Sequence, residues 1–100
     1  MELPALDNTA PGWLEQEVEV QNLSGVHARP AMMIAKTAGA YKSEVAIRRN
    51  NAEVNAKSTI QVLTLVAERG ARLTVRARGE DAQAALGAIV GLVQRGFKDG

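Results

Sequence analysis

A chain of 100 residues with a net charge of +1 is sized for one domain, and 46% apolar against 23% charged residues makes it globular rather than disordered. So small a charge argues against nucleic acid or an anionic membrane as partner, and the absence of cysteine excludes disulfides and cysteine-ligated metals. A lone histidine leaves no ordinary zinc or copper site, no apolar run reaches membrane-spanning length, and Met1-Glu2-Leu3-Pro4 lacks a signal peptide's basic start, so a soluble cytoplasmic chain without metal or cofactor is expected.

Residues 1–13 carry Pro4, Asp7, Asn8, Pro11 and Gly12 without period and predict a mobile extension, with the domain spanning 14–100. Trp13 and Leu14 are placed to tie the extension down. From Glu15 to Gln21, Val18 and Val20 alternate with Glu17 and Glu19, a half-buried strand. A helix is predicted from Ala28 to about Gly39; Pro30 is tolerated in its first turn, where an N–H is not needed. Val45 and Ile47, then Ala52, Val54 and Ala56, form two strands about an Asn50-Asn51 turn. Ser58 caps a short helix predicted to run to about Ala67 and end near Gly70. Leu73, Val75 and Ala77 alternate with Thr74, Arg76 and Arg78 in a fourth strand. Gly79-Glu80-Asp81 then opens the longest helix, to about Arg95. The order β-α-β-β-α-β-α predicts an α+β fold in two layers, an antiparallel sheet with helices on one face.

The chemistry concentrates in Gly25-Val26-His27-Ala28-Arg29-Pro30-Ala31, where strand hands over to helix. The first N–H groups of a helix lack intrahelical partners and carry partial positive charge, which suits a phosphate. A neutral imidazole is a good nucleophile near pH 7 and forms a labile P–N bond, so His27 can take up and surrender a phosphoryl group. Arg29 adds a planar, always-charged fork, the Ala28 amide lies in the cradle, and Ser24 and Gly25 permit a tight approach, with the Ser24 hydroxyl placed to orient the ring. The bland alternative makes His27 a helix cap and Arg29 a solvated charge.

This segment resembles the active-site signature of HPr, the histidine-containing phosphocarrier of the bacterial phosphoenolpyruvate-dependent phosphotransferase system. The family's second signature is matched by Lys57-Ser58-Thr59-Ile60-Gln61-Val62-Leu63-Thr64-Leu65 at the right distance, and the resemblance covers roughly 15–97. It implies an open-faced β-sandwich of four antiparallel strands backed by three helices. It also implies a phosphoryl group arriving on His27, at Nδ1, from phosphorylated enzyme I and leaving for an EIIA-type domain, with Arg29 assisting. Ser58 matches the position that a dedicated serine kinase modifies in some bacteria. Pro30-Ala31-Met32 and the stretch Ala85 to Phe97 look more like the nitrogen-branch paralogue, NPr. Two features depart from the family: Val66 stands where a glycine is common, which puts the end of the second helix in doubt, and the leader is longer than usual.

Spacing places Val62, Leu65 and Val66 on the buried face of the second helix and Ile60 and Leu63 on the other. With Met32 one turn past His27, and Thr59, these make a predicted docking patch, small because a carrier must let go. Arg72, Arg76 and Arg78 form a basic stripe, read as cross-strand ion pairs with Glu17 and Glu19 if those strands are neighbours. Nucleic-acid binding is the weaker reading, since Trp13, Tyr41 and Phe97 do not interleave with the arginines. Two functions compete above it: a monomeric phosphocarrier without turnover of its own, and a regulatory module of the same fold whose phosphorylation sets its affinity for a partner. His27 and Arg29 together favour the carrier, and Ser58 has the plain alternative of being only a helix cap.

Overall fold

The computed structural model describes residues 12–98, and in them the alternation of apolar and charged residues becomes the two faces of one antiparallel sheet. The elements are β1 (Trp13–Glu19), α1 (Ala28–Gly39), β2 (Glu44–Arg49), β3 (Ala52–Asn55), α2 (Thr59–Leu63), β4 (Arg72–Arg78) and α3 (Ala82–Gln94). Spatial order is β1-β4-β2-β3, so the last strand inserts between the first two and pairs with both. Because strand side chains alternate, Val18, Val45, Ile47, Leu73, Val75 and Ala77 all point to the helices. There they meet Ile34 of α1, Val62 of α2, Ile89 and Val93 of α3, and Phe97 beyond it. Ile34, Ile47, Leu73, Ile89 and Phe97 are completely enclosed, each contributing about 1.5–3 kcal/mol of burial. The β2–β3 hairpin turns at Asn50, whose φ of +56° is one that asparagine tolerates.

The outer face of the sheet carries charge, and the charges are paired. Arg76 reaches Glu15 on β1 at 2.7 Å and Glu53 on β3 at 3.0 Å. Arg72 meets Glu17 at 3.1 Å and Arg78 meets Glu44 at 2.6 Å. Partial burial opposes the charge of Arg76, but Glu53 and Glu15 more than offset it and hold its pKa above the ordinary value. The basic stripe is therefore a cross-strand network with Glu17 as one acceptor, as its pattern suggested, but Glu15, Glu44 and Glu53 supply the others in place of the expected Glu19. One expectation is corrected: Trp13 does stack on the stripe, 4.4 Å from the Arg76 guanidinium and 4.6 Å from that of Arg78. It lies among them because it pairs with Arg78 across β1 and β4, a neighbour relation that spacing along the chain does not reveal.

Two further boundaries differ from the sequence reading. β1 begins at Trp13, two residues before the expected start, while the residues before Gly12 lie outside those described. Helix α2 stops at Leu63 rather than near Ala67. Its last turns tighten into three-residue hydrogen bonds, Leu65 to Val62 at 3.1 Å and Val66 to Leu63 at 3.2 Å. Val66 then takes φ +49°, which turns the chain out of the helix and leaves this side chain 63% exposed instead of buried.

At the far end of the sheet, α3 is fastened by Asp81. Its carboxylate accepts the backbone N–H groups of Lys42 and Ser43, each at 2.9 Å, and the hydroxyl of the buried Ser43. The Ser43 bond first, then the two amides, hold the Asp81 carboxyl below the usual range. Gly79 makes this possible: it adopts φ +144°, and a Cβ there would lie 2.8 Å from the Ser43 Cα.

Candidate functional site

The loop between β1 and α1 is built around an atom that is missing. Gly25 has φ +68°, and a Cβ on it would come within 2.5 Å of the Ala67 carbonyl oxygen and 2.9 Å of the Glu68 Cα. Its absence lets the loop lie flat on the segment after α2, where the Val26 N–H donates to the Ala67 carbonyl at 2.7 Å. The turn is closed from within by the Gly25 N–H on the Asn22 carbonyl at 3.1 Å, and by the Asn22 amide on the Gly25 carbonyl at 2.6 Å. With Val26 buried and Gly25 pinned, the next residue is carried to the start of α1.

That residue is His27. It is the N-cap of α1 in extended conformation, and its carbonyl accepts the Ala31 N–H at 2.9 Å. Its side chain makes no capping hydrogen bond and is exposed. The ring is thus not used in the way that a histidine serving only as a cap would use it. Ala28 and Arg29 are the first two helical residues, whose N–H groups precede the first intrahelical bond; Pro30 has none to offer. Two backbone donors, an imidazole and a guanidinium-bearing residue are thereby collected at one helix end that bears partial positive charge and no acidic residue in its first turn.

Beside this end, α1 and α2 leave a largely apolar cleft of about 460 Å³, lined by Arg29, Met32, Met33, Ala35, Lys36 and Thr59. Of the residues expected at a docking patch, Met32 and Thr59 meet Arg29 there. Ile60 stands out from the surface at 76% exposure, and Met32 is 59% exposed. Leu63 is corrected: it is half-buried and packs against the core, on a helix that contacts both α1 and β3. Met33, Ala35 and Lys36 were missed, although Ala35 and Lys36 lie i+3 and i+4 from Met32 and so mark the same stripe. Ser24 is exposed in the Asn22–Gly25 turn, and Ala28 is the first residue of the helix. Ser58 caps α2, its hydroxyl accepting the Gln61 N–H at 3.2 Å, so its structural role is real.

Among the described residues no helix is long and apolar enough to cross a membrane, and no cluster of His, Asp or Glu could hold a metal ion.

A two-layer fold with an unengaged histidine at the start of its first helix defines a class, and comparison with known proteins identifies it. The family model described as PTS HPr component phosphorylation site matches residues 14–95. The chain belongs to the HPr family of phosphocarrier proteins of the phosphotransferase system, PTS. It is 40% identical over 82 residues to phosphocarrier protein HPr of Treponema pallidum, covering 82% of this chain and 93% of that one. It is 34% identical over 87 residues to phosphocarrier protein NPr of Escherichia coli K12, covering 86% of this chain and 97% of that one. Among solved structures, HPr-C-His from Thermoanaerobacter tengcongensis superposes with a TM-score of 0.82 at 32% identity, covering 87% and 98% of the two chains.

Proposed function

We propose that His27 is the residue that carries the phosphoryl group, accepting it from phosphorylated enzyme I and passing it to an EIIA-type domain. The observation that supports this most directly is the exposed imidazole at the N-cap of α1, free of any capping bond, at the positive end of that helix. In the step, the Nδ1 lone pair forms a bond to phosphorus while the donor's bond to phosphorus breaks; transfer onward reverses the exchange with the acceptor's nucleophile. The charge spread over the phosphoryl oxygens meets the Ala28 and Arg29 amides and the Arg29 guanidinium. Because the group leaves as it came, the protein is a covalent intermediate rather than a catalyst with turnover.

Met32, Thr59 and Ile60 form the face that both partners cover in turn, and Ser58, at its edge, is a candidate site for a serine kinase. Similarity to both an HPr and an NPr leaves the branch open, and phosphate passage to a sugar-branch or a nitrogen-branch EIIA decides it.

The test is incubation with enzyme I and phosphoenolpyruvate, followed by mass measurement. One phosphoryl group that survives alkali and is lost in acid supports the reading, and H27A should take none while keeping its fold. An acid-labile phosphate persisting on H27A refutes it.

A further inference from the structure

We infer that Arg49 is a positioning residue for the His27 loop, acting through the strained backbone at Val66; the inference rests on the proposed role of His27. Arg49 is the last residue of β2 and lies on its helix-facing side, in register with Val45 and Ile47. From there its Nη1 donates to the Leu65 carbonyl at 2.9 Å and to the Val66 carbonyl at 2.7 Å. Those two carbonyls bracket Val66, a β-branched residue held at φ +49°, in a region such side chains avoid. Nothing about the Val66 side chain rewards the conformation, since it projects into solvent. The compensation comes from the guanidinium, whose two hydrogen bonds are lost if the peptide rotates.

What the clamp fixes is the next residue. Ala67 is buried, and its carbonyl is the acceptor of the Val26 N–H and the surface on which Gly25 rests. Release of Val66 toward negative φ turns the Val66–Ala67 peptide, moves that carbonyl, and removes the support one residue before His27. The chain of contacts therefore runs from Arg49 to the Leu65 and Val66 carbonyls, to Ala67, to Val26, to the imidazole. Each link but the last is a hydrogen bond or a covalent neighbour, and the last is the peptide that joins Val26 to His27.

The experiment compares wild type with R49M, V66G and the double variant R49M/V66G. Amide hydrogen exchange at Val26 is one readout, and the kcat and KM for phosphoryl acceptance from enzyme I are the other. In R49M the Val26 amide should exchange at least about tenfold faster, and kcat should fall about threefold to tenfold with KM little changed, because a loosened loop misplaces the nucleophile. In the double variant glycine adopts the left-handed conformation unaided, and both quantities should return toward wild type. Unchanged Val26 exchange in R49M overturns the clamp. Faster exchange with unchanged kcat overturns the positioning role, as does a double variant no better than R49M. If R49M fails to fold, the double variant is compared with V66G instead: it should fold and match V66G in Val26 exchange and kcat, and a double variant that also fails to fold, or exchanges faster than V66G, overturns the clamp. Should wild type take no phosphate on His27, the functional reading fails by itself, and the exchange data still judge the clamp.

Discussion

Replacing Ile60 by glutamate separates folding from docking, because the two expectations point in opposite directions. Full burial of an isoleucine is worth about 1.5–3 kcal/mol. With 76% of the residue exposed, only about a quarter of that, roughly 0.4–0.8 kcal/mol, is at stake in the isolated domain. A carboxylate at the second position of α2 regains part of this from the helix N-terminus, where anions gain about 0.3–1 kcal/mol. The predicted net change in stability is therefore below about 0.5 kcal/mol, close to the spread of ordinary surface substitutions. In a complex, the same carboxylate must be desolvated against an apolar partner without a cation provided for it. That costs about 1–3 kcal/mol, or roughly a 5- to 150-fold rise in KM. Thermal unfolding and steady-state phosphorylation by enzyme I measure the two effects, and phosphate passage to an EIIA-type acceptor repeats the second. A destabilisation above about 2 kcal/mol would show that Ile60 belongs to the core. A KM unchanged for both partners would refute the shared docking face.

The other predictions use the same site and its supports. R29K should slow phosphoryl acceptance markedly with little change in stability, because an ammonium keeps the charge and loses the fork; wild-type rates would remove Arg29 from the mechanism. S58A should cost about 1 kcal/mol through loss of the Gln61 cap, whereas S58D should keep the fold and weaken enzyme I binding by calorimetry, and equal affinity would leave Ser58 as a cap alone. Asp81 has a folded-state pKa lowered by Ser43 and the Lys42 amide, so its contribution is present above the ordinary carboxylate range and is lost as pH falls through the lowered value. D81N should therefore flatten the acid limb of the stability profile, and an unaltered limb in urea titrations at several pH values would refute that assignment.

Much of this architecture was legible because the signals are local. Pro30 in a first turn, Asn50-Asn51 between alternating runs, and Ser58 three residues before Gln61 each act on the backbone within a few positions. The helix start that holds His27 belongs to this group. What was not legible depends on residues brought from far along the chain. Val66 completes an apolar spacing that fits a longer α2, yet it leaves the helix where an arginine 17 positions earlier donates to its carbonyl. A hint was available: β2 alternation puts Arg49 on the same side as Val45 and Ile47, and an arginine on an apolar face must find acceptors. Trp13 was misjudged for a related reason. Only the insertion of β4 beside β1 puts it on Arg76 and Arg78, and strand order is not a property of spacing.

The division of labour between the two faces follows from where charge and apolar surface were left. On the outer face of the sheet, Arg72, Arg76 and Arg78 are matched to glutamates on the other three strands, and Trp13 lies beneath two of the guanidinium groups. A partner docking there would have to break those pairs before gaining anything from them. The large exposed apolar residues lie elsewhere: Leu23 in the loop before His27, Met32 on α1, Ile60 on α2 and Val66 just beyond it, with Leu14 on the helix-facing side of β1. Apolar surface needs no partner-specific charge to become attractive, and a small patch of it holds a complex only briefly. On the proposed role of His27, a phosphoryl donor and an acceptor must each reach the same imidazole. On that proposal, a nucleophile at the rim of a modest apolar face, with the opposite face holding its own ion pairs, would direct both partners to one side and let each of them leave.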